Sequence, residues 1–179
     1  MIEKFLKKLL EKLHIISPPE TRLVELLRKQ CVEIGEKTYI YGAKVDGRFG
    51  KCIKIGNGVG ISEGVQILAH DASTKYSKDR LKYSKVGRVI IGDNVFIGYG
   101  AIILPETFIG DNCLIAAGAV VRGRVEPDSV MVGNPAVRVC SYSEYISKNK
   151  KLLEDGFVCD GDFTDDVILM MNTKRVFIE

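Results

Sequence analysis

The chain has 179 residues, of which 46% are apolar and 27% charged, and its formal net charge is +3. These values suit one principal domain with small appendages, and the near-balanced charge excludes the strongly basic surface of a nucleic-acid-binding protein. No run of about eighteen apolar residues marks a membrane span and no signal-peptide pattern is visible; five scattered cysteines without a Cys-x-x-Cys pair point to reduced thiols in a cytoplasmic protein, not to disulfides or zinc.

Residues 1–31 read as a helical segment. Ile2, Phe5, Leu6, Leu9, Leu10 and Leu13 form one apolar face, broken by Lys4, Lys7, Lys8 and Lys12. Ser17-Pro-Pro-Glu20 has the form of a capping box with proline at the first helical position, opening a second helix to about Gln30. The lysines of the first helix allow contact with a membrane surface. Packing on the end of the domain that follows is the stronger expectation, because an open sheet end must be covered.

From Ile91 the chain falls into sixes: IGDNVF, IGYGAI, ILPETF, IGDNCL, IAAGAV, VRGRVE. Ile or Val opens each at 91, 97, 103, 109, 115 and 121, and four places on stands Val95, Ala101, Thr107, Cys113, Ala119 or Val125. The frame extends back through Ile55, Ile61 and Ile67 and keeps its phase across the gap to Ile91. Ile34 and Ile40 start earlier repeats whose frame is offset from Ile55 by three, so a bulge or short loop is expected near Asp46 to Cys52. A period of six fits neither a helix, at about 3.6, nor an alternating strand, at about 2. It fits a solenoid in which six residues make one flat side and one corner, and three sides close a coil of about 18. Stacked coils then place Ile91 under Ile109, Ile97 under Ile115 and Ile103 under Val121. The corners demand a backbone that bulky residues resist, hence the recurring Gly, Asn and Asp.

Ser73 to Arg88 abandon the repeat and carry six cations against Asp79. An excursion that leaves a solenoid at one corner and returns in phase is usually functional, since the coils do not need it. His70 stands immediately before it. After the repeats, Ser143 to Leu153 reads as helical, followed by an acidic tail from Glu154. The expected organisation is therefore 1–31 helical, 32–139 solenoid with an excursion at 73–88, and 140–179 a C-terminal helix and tail.

The stretches VIIGDNVFIGYGAIILP, IGDNCLIAAGAVV and VMVGNPAVRV resemble the hexapeptide-repeat acyltransferases, most closely the galactoside, maltose and polysaccharide O-acetyltransferase branch, over about three fifths of the chain. The resemblance implies an all-β solenoid, a left-handed parallel β-helix, assembled as homotrimers with active sites between subunits. It implies acetyl-CoA as co-substrate and His70 as general base, at the position where the family carries its base before the same loop. A neutral imidazole suits the task, because a hydroxyl attacking a thioester must lose a proton of high pKa. By the same resemblance the Gly98–Tyr99 turn of the opposing wall supplies the oxyanion donor. The pantetheine arm lies along Phe96, Gly98, Ala116 and Ala117, and Arg122, Arg124 and Arg138 hold the phosphates. The family often has Thr-Lys at Arg122-Gly123 and Trp at Phe96. Asp71, Lys75 and Tyr76 are candidates for acceptor contacts. No group that orients His70 is readable, because strand alternation turns Asp71 the opposite way.

The expected reaction is O-acetylation of a sugar hydroxyl, in a capsule, exopolysaccharide or lipopolysaccharide building block. N-acetylation of an amino sugar or antibiotic on the same scaffold is the alternative, and a non-catalytic scaffold a further one. The zinc hydratases of this fold need three imidazoles per metal, and the chain has only His14 and His70, so no metal is expected. Gly56-Asn-Gly58-Val-Gly60 has repeat corners, not a dinucleotide loop, because no helix follows it. Asp160 to Asp165 lacks the downstream Glu of a calcium loop. Cys113 falls on an inward position and reads as core.

Overall fold

The computed structural model describes residues 19–154. The first predicted helix, Ser17 of the capping box, the acidic tail and the Asp160–Asp165 turn lie outside them. Helix α1 (Pro19–Lys29) is followed by three walls of short parallel strands. Wall one is β1 (Glu33–Ile34), β4 (Ile53–Ile55), β9 (Val89–Ile91) and the second halves of β11 (Ile102–Ile109) and β13 (Val120–Val125). Wall two is β2 (Tyr39–Ile40), β5 (Gly60–Ile61), β10 (Phe96–Ile97), β12 (Leu114–Ile115) and β14 (Val130–Val132). Wall three is β3 (Lys44–Val45), β6 (Gln66–Ile67) and the first halves of β11 and β13. The architecture is a left-handed parallel β-helix.

The register is the one the period of six demands. Ile91 pairs along wall one with Ile55 and Ile109, Ile97 along wall two with Ile61 and Ile115, and Ile103 along wall three with Ile67 and Val121. None of these nine is more than 3% exposed. Each buried aliphatic contributes about 1.5–3 kcal/mol, so the internal ladder supplies most of the driving force. The residues four places on fill the space between: Val95, Ala101, Cys113 and Ala119 are all buried. The inward hydroxyls are satisfied, with Thr38 Oγ1 donating to the Gly56 carbonyl at 2.8 Å and Thr107 Oγ1 to that of Leu104 at 2.6 Å. Burial pushes the Cys113 thiol pKa up, which agrees with a core role.

At the corners, Asn94, Asn112 and Asp128 share a left-handed φ of 55°, a conformation that short polar side chains tolerate. One corner also carries a ladder of side-chain acceptors. Asp111 Oδ1 accepts the Asp93 N–H, Asp93 Oδ1 that of Asn57, and Asn57 Oδ1 that of Glu36, at 2.7–2.9 Å. Each coil thus satisfies a corner amide of the coil before it. The Asn57 backbone N–H is the first cause that holds the Asp93 carboxyl below the ordinary carboxylate range.

The frame offset has a two-part origin. Val45 pairs with Ile67, so the Ile40-to-Val45 side is one residue short of six. The next side, from Val45 to Ile55, spans ten positions, four more than six, and contains a 3₁₀ turn, Gly47–Cys52. Gly50 in that turn is buried, and a Cβ there would stand 2.0 Å from the Gln30 carbonyl oxygen. Only glycine lets the turn close against the end of α1. Helix α1 in turn covers the open first coil with Val24 and Leu27, 6% and 3% exposed. At the other end β15 (Val137–Cys140) pairs antiparallel with β14, and α2 (Tyr142–Glu154) follows. The β-helix with α1 belongs to one compact unit ending at Tyr142, and Ser143 opens a second.

Candidate active site

The excursion leaves at the third corner through β7 (His70–Asp71) and returns through β8 (Lys85–Val86). The two strands pair antiparallel, His70 opposite Val86 and Asp71 opposite Lys85. The Gly87 N–H donates to the Ala69 carbonyl at 2.9 Å and closes the neck. Beyond it a 3₁₀ turn, Ser73–Tyr76, is tied back by Thr74 Oγ1 donating to the Tyr83 carbonyl at 2.6 Å. This neck holds His70 at the edge of the β-helix rather than in its core.

His70 Nδ1 meets Asp46 Oδ2, which also accepts the Ala69 N–H at 3.3 Å. The Asp46 side chain is 10% exposed and that of His70 36%. The Phe49 ring lies against the imidazole, with centroids 4.7 Å apart and planes inclined by 31°. A carboxylate can only accept, so Nδ1 carries a proton, and in the neutral imidazole the lone pair is then on Nε2. The histidine is thereby oriented, and its neutral form can accept a proton only through its other nitrogen.

His70 lines a cavity of about 690 Å³ together with Asp71, Lys85, Leu104, Glu106 and Arg122. Asp71 does not touch the imidazole. Its Oδ1 accepts the Ser73 N–H at 2.8 Å and its Oδ2 lies 3.7 Å from Lys85 Nζ. These contacts, the Ser73 backbone first, hold its carboxyl below the ordinary range. Glu106 sits at the corner with a φ of +65°. Among the described residues no group of three or more His, Cys, Asp or Glu is placed to hold a metal.

The structure brings together only some of the sequence-predicted residues. His70, Asp71 and Arg122 share the cavity. Lys75 and Tyr76 lie on the excursion, Tyr76 89% exposed. Phe96 stands exposed on wall two, and Gly98, Tyr99, Ala116 and Ala117 form the second corner, away from the third corner that carries His70. The Gly98 and Ala116 amides are already spent on the carbonyls of Ile115 and Met131, at 2.8 and 2.9 Å. Of these four residues, Tyr99 and Ala117 have amides for which the described residues provide no partner. Arg124 is exposed on β13. Arg138 is engaged within the chain: its Nε donates to Ser129 Oγ at 3.1 Å and its Nη2 to the Asp128 carbonyl at 3.4 Å.

Sequence reasoning missed Asp46, Phe49 and Glu106. The signal for Asp46 was present in the broken frame. Setting Val45 beside Ile67 places Asp46 at the level of the residues leading to His70, although 24 positions separate the two in sequence.

Residues 88–123 match the family described as bacterial transferase hexapeptide, six repeats. Protein CapG of Staphylococcus aureus is 41% identical over 130 residues, which span 70% of this chain and 68% of that protein. Among solved structures, a maltose O-acetyltransferase from Clostridium difficile 630 is 27% identical with a TM-score of 0.53, covering 70% of this chain and 78% of the other. A hexapeptide-repeat acetyltransferase of Vibrio cholerae O1 biovar eltor, complexed with acetyl coenzyme A, is 25% identical with a TM-score of 0.54, covering 73% and 82%. The repeat ladder, the corner excursion and these likenesses agree, and the chain belongs to the hexapeptide-repeat family of bacterial transferases, as an acyltransferase.

Proposed function

We propose that the protein transfers an acetyl group from acetyl-CoA to a sugar hydroxyl, with His70 as general base. The observation that carries this reading is the Asp46–His70 pair on the wall of the cavity at the neck of the excursion. His70 Nε2 takes the proton of the attacking hydroxyl and later returns it to the departing sulfur, so the proton count balances without a covalent enzyme intermediate. This role is worth about 10²–10⁴-fold in rate. Acetyl-CoA supplies the activated acyl carbon. The Tyr99 and Ala117 amides are the donors for the carbonyl oxygen as it gains charge, and Arg122 and Arg124 are the cations for the cofactor phosphates.

His70 and the Tyr99 corner belong to different corners of the same coils. They serve one reaction when the second corner of a neighbouring subunit faces the His70 neck of the first, as in a homotrimer with sites between subunits. The sugar acceptor draws support from the relative named as a maltose O-acetyltransferase, and a building block of a surface polysaccharide, acetylated in the cytoplasm, is the expected substrate. Among the described residues no helix is long and apolar enough to cross a membrane.

A thiol-release assay with acetyl-CoA against neutral sugars, amino sugars and uronic acids tests the reading. His70→Ala should keep its fold and its thermal stabilisation by acetyl-CoA while losing nearly all transfer. Near-normal turnover by this variant, or transfer confined to amines, would sink the proposal.

A further inference from the structure

The excursion from Ser73 to Arg88 holds Lys75, Lys78, Arg80, Lys82, Lys85 and Arg88 against the single acid Asp79, in a chain whose net charge is only +3. All six cationic side chains are exposed. Lys85 lies 3.7 Å from Asp71, and the Arg88 guanidinium stands 6.0 Å from the centre of the Phe108 ring. Lys75, Lys78, Arg80 and Lys82 meet no carboxylate at salt-bridge distance among the described residues. So many like charges on one short segment repel one another, and the β-helix does not need them.

The base of this segment is part of the candidate site. Asp71, Ala72, Lys85, Val86 and Gly87 line the cavity beside His70. The acids on the same wall are Asp71, already paired with Lys85, and Glu106. The rings of Tyr76 and Tyr83 on the excursion are 89% and 62% exposed, which offers flat apolar faces beside the charges.

We propose that the acceptor is an anionic saccharide, bearing a carboxylate or a phosphate, drawn to the site and oriented by the basic excursion; this rests on the reading of His70 as the base of an acetyl transfer to sugar. The screening length at 0.1 M salt is about 10 Å, so neighbouring cations on the excursion act together on an incoming anion. Such steering raises encounter rates by about tenfold or more and falls steeply with salt. A neutral sugar would leave this field unused.

Three probes with one ring test the idea: methyl β-D-glucopyranoside, methyl β-D-glucopyranosiduronate and glucose 1-phosphate. Transfer is followed by thiol release at 20 and 500 mM NaCl, and binding by ligand-observed NMR without acetyl-CoA. At low salt, kcat/KM for an anionic probe should exceed that for the neutral glucoside by about tenfold, and the advantage should shrink to about threefold or less at high salt. Whether the uronate or the phosphate gains more identifies the anionic group. Lys78→Glu, Arg80→Glu and Lys82→Glu together should abolish the advantage, and the Gln triple variant should reduce it part-way at unchanged melting temperature. Equal kcat/KM for all three probes at low salt would overturn the proposal. So would a charge-reversed variant whose KM rises for acetyl-CoA while the acceptor preference stays, because the excursion would then serve the cofactor. Binding of the excursion to phosphatidylglycerol vesicles with no preference among the probes would overturn it as well. If no sugar is acetylated yet NMR still shows salt-sensitive, excursion-dependent binding of the anionic probes, the acetyl-transfer reading fails and the anion site stands.

Discussion

The sharpest consequence of the site geometry concerns Asp46, because its carboxylate dictates which imidazole nitrogen of His70 is free. Asp46→Asn keeps the side-chain volume and an oxygen for the Ala69 N–H. One oxygen, Oδ2, faces both Nδ1 and the Ala69 N–H, so the amide oxygen takes that place and the Nδ1–H keeps an acceptor that no longer bears a charge. A hydrogen bond to a charged group is worth about 1.5–3 kcal/mol, or 10–150-fold. This predicts a fall in kcat of about 10–100-fold with little change in KM for acetyl-CoA. The assay is thiol release at saturating acetyl-CoA, with melting temperature as a check on folding. A double-mutant cycle separates this mechanism from a general loosening of the site. In a His70→Ala background the Asp46 substitution should cost less than about threefold, because it acts only through the imidazole. An Asp46→Asn enzyme with more than a third of wild-type kcat, or an equal cost in both backgrounds, would refute the reasoning.

Three further outcomes bear on the fold and the neck. Ile97, fully buried between Ile61 and Ile115, should cost about 2–5 kcal/mol as Ile97→Ala, read as a melting temperature lower by about 5–15 °C; a change under about 2 °C would contradict the stacked core. Glu106 holds a left-handed φ of +65° at the cavity, so Glu106→Gly should stabilise the protein by about 0.5–1 kcal/mol in denaturant titration, and a loss of stability would show that its side-chain contacts outweigh the strain. Asp71 has a folded-state pKa depressed below its ordinary 3.8. Its contribution to the neck is therefore complete above that value and is lost as pH falls through the folded pKa. Amide exchange at Ser73 should accelerate in strong acid and in Asp71→Asn at neutral pH, and an Asp71→Asn protein with unchanged protection would show that the carboxylate does not hold the turn.

The amino-acid sequence by itself determined the β-helix, because a period of six admits one way to bury every first residue: stack the coils so that Ile91, Ile97 and Ile103 meet Ile109, Ile115 and Val121. That pattern is local and repeats, so it is visible without knowing any long-range contact. The second helix, the loop before Ile53 and the excursion after His70 were legible for the same reason, as a capping signal and as breaks in the frame. His70 stood out through its place before the excursion and its resemblance to a known family, not through its surroundings. What only the tertiary structure decided is the pairing of groups remote in sequence. Asp46 reaches His70 because one side a residue shorter than six and the next four residues longer than six change which residues stack. The same stacking spends the Gly98 and Ala116 amides within the chain and ties Arg138 to Ser129. A frame read along the sequence counts positions, whereas a hydrogen bond depends on where the corners turn, and the corner lengths are set by packing against α1 and the neighbouring coil.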